Sequence, residues 1–201
     1  MKILNLIWII TLIIDNMLPL ALARFYPNYS HKDMALSVLG SRQSPVKWVY
    51  NAWCIVSGVV FCIAPYAFYQ VNSGGLAVAI LILLAIYGIG CKIVSGFCPL
   101  NENRQEEDAI TKIHGVASAI GFMTLLVVPL LMAILQFQVS EVAFGLISLL
   151  CFIVAFVFFC FFIMGEKEMF ATTVLRYGGL WQRLVLVCCY VPLFVWCVIQ
   201  I

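Results

Sequence analysis

Asp15 sits in the middle of an apolar run near the start of the chain and is the one acidic residue deep in any such run. A charge at that depth in a bilayer costs at least about 2.5–3.5 kcal/mol even on lenient insertion scales, so a carboxylate there calls for a reason. One reason is architectural: a hydrogen bond, with the acid protonated, that locks two helices together. The other is chemical, a proton-binding or ligand-binding group. His114 raises the same question. It opens a later apolar run and is followed by Ser118 at i+4 and Gly121 at i+7, with Gly115 and Ala117 nearby. That face of small and polar side chains is expected to pack inward. An imidazole there is either a hydrogen-bonded packing residue or an acid–base group working on a lipid headgroup with Asp15 or Glu166 as its acidic partner. No serine, histidine and acid can be assigned as a triad from spacing.

The remaining reactive side chains point away from cofactors and metals. His31 and His114 are the only histidines, and His31 falls in a loop, so the chain alone supplies neither facing haem ligands nor a three-histidine zinc site. The nine cysteines show no Cys-x-x-Cys spacing, and the adjacent Cys188 and Cys189 point to different helix faces. All but Cys98 lie in apolar runs and read as small buried apolar residues. No cofactor and no metal are expected.

The elements that must position Asp15 and His114 follow from composition. The chain is 65% hydrophobic and 10% charged, with a mean hydropathy of +1.10. Ordinary globular chains carry about a quarter charged residues, so a soluble enzyme or nucleic-acid-binding domain is excluded. Crossing a hydrocarbon core takes roughly 20 apolar residues. Stretches of that length run approximately Ile3–Ala23, Trp48–Tyr69, Gly75–Val94, Ile113–Leu135, Val142–Met164 and Trp181–Ile201. The expected fold is all-α: a polytopic membrane protein, a six-transmembrane-helix bundle forming a single transmembrane domain over residues 1–201. The first run also resembles a signal peptide, with Lys2 before it and Ala21-Leu22-Ala23 at its end. Asp15 favours a retained helix, because a protein interior can accommodate a carboxylate that a signal peptide cannot.

Basic residues fix the orientation, since they stay on the cytoplasmic side. Apart from Lys2, every lysine and arginine belongs to one of three longer connections: Arg24, Lys32, Arg42 and Lys47; Lys92, Arg104 and Lys112; Lys167, Arg176 and Arg183. The long loops are therefore expected in the cytoplasm and both termini outside, in the cell (inner) membrane. Trp48, Tyr50, Tyr69 and Trp181 fit interfacial anchors.

The long connections carry signals of their own. Ser30-His31-Lys32-Asp33 reads as a helix cap with an acid at the third position, and Gly40 ends the run Met34–Leu39, so a short interfacial helix is expected in the first loop. Ser44-Pro45 marks a second start. The segment from Arg24 to Lys47 is either a lid folded over the mouth of the bundle or an amphipathic connector at the headgroups. Gly88, Gly90, Ser95, Gly96 and Pro99 are expected to break the end of the third span, with Lys92 snorkelling. Glu106, Glu107 and Asp108 complement the N-terminal dipole of the fourth helix. Arg183 reads either as a lipid-phosphate ligand or as another snorkelling base.

Taken in order, Tyr26-Pro27-Asn28-Tyr29-Ser30-His31, Ser37-Val38-Leu39-Gly40, Asn51, Lys112-Ile113-His114-Gly115-Val116-Ala117-Ser118 and Gly179-Leu180-Trp181-Gln182-Arg183 run through nearly the whole chain. This succession resembles the prokaryotic membrane proteins grouped as domain of unknown function nine-nine-eight, with Asn28 standing where that family usually has glycine. The resemblance implies a bacterial or archaeal source and a six-helix membrane fold, and no established activity. Its matching positions include Tyr29, Ser30, Gly40, Asn51, His114, Gly115, Ser118, Trp181, Gln182 and Arg183.

The residues together support one expected site: Asp15, Tyr29, His31, Asn51, Ser95, His114, Ser118, Trp181, Gln182 and Arg183 around a cytoplasm-facing cavity. The expected function is binding, or transport, of a lipid or small amphiphile there. A lipid-modifying enzyme using His114 with Asp15 or Glu166, and a structural or regulatory subunit, are the alternatives. Membrane lipids and a small amphiphilic ligand are the expected partners; no nucleic acid is, and a protein partner is left open.

Overall fold

The computed structural model describes residues 1–102 and 108–201. It contains six helices long and apolar enough to cross a membrane: α1 (Lys2–Ala23), α2 (Lys47–Val71), α3 (Gly75–Phe97), α4 (Ala109–Gln138), α5 (Val142–Gly165) and α6 (Gly178–Ile199). No strand is formed among the described residues. A helix suits this chain because it satisfies its own backbone polar groups, which lipid cannot do. Each helix packs on the next, α6 returns to α1, and α4 also meets α6, so the six form a closed ring.

Aromatic side chains fill the interior. Trp8 of α1 meets Phe61 of α2 and Trp196 of α6 edge-on, each at 6.4 Å between ring centroids, and Phe61 meets Tyr87 of α3 at 4.9 Å. Edge-to-face pairs of this kind add to what burial contributes. Helix α5 differs. It closes the ring between α4 and α6, yet Leu146, Leu150, Ile153 and Phe156 along it are about half exposed or more, as a lipid-facing helix requires.

The glycines of α3 do not break it. The helix widens into a π-helical stretch, Gly88–Val94, and resumes α-helical geometry at Ser95–Phe97. Their small size is used for contact instead: a Cβ on Gly88 would strike the carbonyl oxygen of Gly58 on α2, and one on Gly90 would strike that of Ala117 on α4. Within the wide turn, the Ser95 hydroxyl donates to the Gly90 carbonyl at 3.2 Å. Such π-turns often mark functional positions. Here the stretch carries Lys92, which does not snorkel: the residue is 8% exposed and faces the interior.

The first loop folds back over the bundle end that bears the long connections. The expected interfacial α-helix is not formed. The Ser30 hydroxyl and the Asp33 carboxylate do pair, and Met34 N–H closes a turn on the Ser30 carbonyl at 2.9 Å, but the chain then leaves helical geometry and makes a 3₁₀ turn, Leu36–Gly40. Leu36, Leu39 and Gly40 are buried. Ala35 is extended (φ −61°, ψ 156°), which directs the segment into the bundle rather than along its rim. Asn28 lies at φ 64°, a left-handed conformation that glycine takes freely and asparagine tolerates.

Candidate functional site

Asp15 reaches the centre of the ring from α1. Its carboxylate lies 2.7 Å from the Lys92 ammonium, accepts the indole N–H of Trp53 at 2.7 Å, and accepts the Tyr190 hydroxyl at 2.8 Å. The Tyr190 and Tyr87 hydroxyls are 2.5 Å apart. Four helices thus converge on one carboxylate: α1 supplies it, α2 gives Trp53, α3 gives Lys92 and Tyr87, and α6 gives Tyr190. The Asp15 and Lys92 side chains are 2% and 11% exposed. A buried pair so enclosed is stable because each charge has its partner and the carboxylate's other lone pairs are hydrogen-bonded. The site is therefore an ion pair where sequence reasoning placed a lone acid.

Lys92 also lines a small cavity of about 70 Å³, with Tyr50, Asn51, Ser95, His114 and Ser118. Tyr50 turns inward here and is not the interfacial anchor its position suggested; Trp48, 79% exposed, remains outside. Ser95 and Ser118 hydroxyls are 2.7 Å apart, joining α3 to α4. His114 Nδ1 is 2.7 Å from the Cys98 carbonyl oxygen. A carbonyl only accepts, so Nδ1 carries the proton, and a neutral ring keeps its acceptor lone pair on Nε2.

His114, Ser118, Cys91, Phe122 and Gln182 are shared with a second, larger cavity of about 960 Å³. Its two ends differ chemically. Toward the loops it is lined by Asn101, Glu102, Thr111 and Glu166; deeper along α4 and α5 it is walled by Phe122, Phe159 and Phe162. Residues 34, 35, 37 and 38 of the folded-back loop line it as well. At its edge Met123 and Ile163 are 56% and 47% exposed, so the cavity continues onto the apolar flank of the bundle.

Asn51, Ser95, His114, Ser118 and Gln182 of the expected set line these cavities, and so does Glu166. Asp15, Tyr29, His31, Trp181 and Arg183 do not line either one. Asp15 stands behind Lys92. Arg183 is neither a snorkelling base nor an exposed anion receptor: its guanidinium donates to the carbonyls of His31 (2.8 Å), Met34 (3.1 Å) and Gly179 (2.7 Å) and to the Tyr29 hydroxyl (2.6 Å). It clamps the first loop to α6, helped by Leu36 N–H on the Gln182 side-chain oxygen at 2.7 Å. Burial, and then the Arg183 charge, lower the His31 pKa. Burial raises that of Tyr29, while Arg183 acts in the opposite sense. The Trp181 indole stacks on Phe158 and donates to the Leu175 carbonyl at 3.1 Å.

The loop's other edge is tied to the second long connection. Arg42 pairs with Asp108 at 2.5 Å, its backbone N–H donates to the Leu100 carbonyl at 3.0 Å, and Tyr26 and Ser41 hydroxyls both donate to Glu102. Burial and the neighbouring Glu102 carboxylate push the Tyr26 phenol up to about 12. Asp108 caps α4 through Thr111 N–H at 2.8 Å. Glu106 and Glu107, expected to assist that cap, and Arg104 lie outside the described residues.

Sequence reasoning missed Trp53, Lys92 and Tyr190 as partners of Asp15, Tyr87 as the partner of Tyr190, and the Phe122–Phe159–Phe162 wall. The tyrosines carried the only sequence signal, as hydroxyls deep inside apolar spans.

Six apolar helices in a ring, with a buried ion pair at its centre, define a multi-pass, all-helical membrane protein. The chain belongs to the protein family of unknown function designated DUF998, whose match spans residues 9–199. No curated protein and no solved structure matches it.

Proposed function

We propose that this protein binds a single membrane amphiphile, head toward the long loops and chain along α4 and α5, and holds or transfers it there. The cavity carries this reading. It joins a polar end to an aromatic end, and its volume of about 960 Å³ falls at the upper end of the roughly 300–1,000 Å³ of ligand pockets. Its edge meets the apolar flank, where a lipid-borne ligand would arrive. In this reading the long loops face the cytoplasm of a cell whose inner membrane holds the protein, as the basic residues argue. The buried Asp15–Lys92 pair holds α1 and α3 in register, so that the π-helical stretch presents Cys91 and Ser95 to the cavities.

Gly115 provides the test. It lines the cavity, and a Cβ there would meet no atom within 4 Å, so the backbone admits a side chain at this position and Gly115→Trp sets a bulky ring at the cavity wall. Gly75, equally open at the opposite end of α3, serves as the control. Native mass spectrometry from mild detergent is expected to show a discrete adduct on wild type and Gly75→Trp and none on Gly115→Trp. An adduct that persists in Gly115→Trp contradicts the reading.

One observation favours a second reading. His114 and Glu166 line the same cavity, and the Cys98 carbonyl orients the imidazole, as acid–base work on a bound headgroup would need. That reading expects a headgroup turnover that His114→Gln abolishes while the adduct is retained.

A further inference from the structure

We infer that the amphiphile held in this cavity has an uncharged, hydroxylated head on a single chain, as in a monoacylglycerol or a long-chain alcohol. The inference rests on the cavity's being an amphiphile site and concerns what kind of head it accepts.

Charge decides first. Among the described residues lining the two cavities, Lys92 is the only lysine or arginine, and its ammonium is already matched by Asp15 at 2.7 Å. Trp53 and Tyr190 hold that carboxylate in place from two further helices, so Asp15 is not free to swing away and expose the cation. The other charged lining residues, Glu102 and Glu166, are carboxylates. A phosphate or carboxylate head would enter past them and find no unmatched cation among the described lining residues. Burying an anion without a partner is among the most costly steps a binding site can impose. An ammonium head fares little better: Glu102 already accepts from the Tyr26 and Ser41 hydroxyls and Glu166 is itself engaged, so a cation would have to displace contacts already made, among them the tie that holds the first loop to the second.

Hydrogen-bonding capacity decides the rest. The polar lining that remains is neutral and two-sided: the hydroxyls of Thr111 and Ser118, the amide of Gln182 and the imidazole of His114. The Gln182 oxygen is taken by Leu36 N–H, which leaves its amide N–H groups to donate, and His114 Nδ1 is taken by the Cys98 carbonyl, which leaves Nε2 to accept, while a hydroxyl can do either. A hydroxyl on the ligand does the same, and so finds partners of either kind. The Phe122–Phe159–Phe162 wall receives the chain.

The test uses the full-length protein in phosphatidylcholine nanodiscs, which avoids sugar detergents that are themselves neutral, hydroxylated amphiphiles. Radiolabelled monopalmitoylglycerol, palmitate and hexadecyltrimethylammonium are added separately at tracer concentration. Retention is counted above that of Gly115→Trp discs. Monopalmitoylglycerol is expected to be retained at least about tenfold better than either charged probe. Equal or greater Gly115-sensitive retention of palmitate or of the ammonium probe overturns the inference and leaves the cavity reading intact. If no probe shows retention that Gly115→Trp removes, the cavity reading falls and the inference falls with it.

Discussion

The Lys92 ammonium lies 2.7 Å from the Asp15 carboxylate at the centre of a ring of apolar helices, and the carboxylate takes further hydrogen bonds from Trp53 and Tyr190. Neither charge would be tolerated alone at that depth. The pair therefore ties the position of α3 to that of α1.

Removing one member should cost more than removing both. Asp15→Leu and Lys92→Met are each expected to destabilise the protein by about 3–5 kcal/mol, because each strands a buried charge. The double variant should recover much of that loss. Thermal unfolding of the four proteins in one detergent checks this, and losses that simply add would refute the coupling.

Arg183→Lys should loosen the first loop although the charge is kept. A lysine cannot reach three carbonyls and the Tyr29 hydroxyl with the planar fork that arginine uses. Each lost charge-assisted bond is worth about 1.5–3 kcal/mol. Limited proteolysis should then cut between Arg24 and Lys47 in the variant and spare wild type.

Opposite glycine substitutions should have opposite signs. Gly90→Ala is expected to destabilise, since its Cβ meets the Ala117 carbonyl oxygen, whereas Gly115→Ala should stabilise by about 0.5–1 kcal/mol by restricting the unfolded chain. Unfolding midpoints of the two variants against wild type read this directly.

The Asp108 tether should respond to acid within a defined window. The Thr111 backbone N–H, then Arg42, hold its carboxyl at about 2, below the ordinary 3.8. A depressed carboxyl stabilises the fold at pH values above its unfolded pKa, and that contribution is lost as pH falls through the folded value. Asp108→Asn should therefore lower the unfolding midpoint at pH 5 and above, and the difference from wild type should close as pH drops from about 4 to 2. A difference that stays constant across that window would assign the effect to the cap's geometry instead of its charge.

Much of this architecture was legible in the sequence because a bilayer imposes length. Val142–Met164 matches α5 to within a residue, since no charged side chain interrupts the run before Glu166. Helix α4 begins at Ala109, earlier than Ile113, because Thr111 and Lys112 interrupt the apolar run while the Asp108 cap starts the helix. Some polar residues singled out in the sequence lie at the cavities: Asn51 and Ser95 line the small one, and His114 and Ser118 line both. What escaped were relations between helices. Lys92 sits near a span end, where local reasoning favours snorkelling, and only packing reveals that Asp15 faces it. Arg183 faced the same difficulty, since its partners are backbone carbonyls that no sequence pattern marks. Phe122, Phe159 and Phe162 look like any lipid-facing phenylalanine until two helices enclose a space between them.

The central claim is that an amphiphile chain lies between α4 and α5, and photolabelling tests it most directly. A monoacylglycerol carrying a diazirine midway along its chain, irradiated in nanodiscs with the protein, should label peptides containing Phe122, Phe159 and Phe162, and Gly115→Trp should remove that labelling. Labelling spread evenly over the exposed face of α5, at Leu146, Leu150 and Ile153, and unchanged by Gly115→Trp, would show contact with bulk lipid alone and contradict the account.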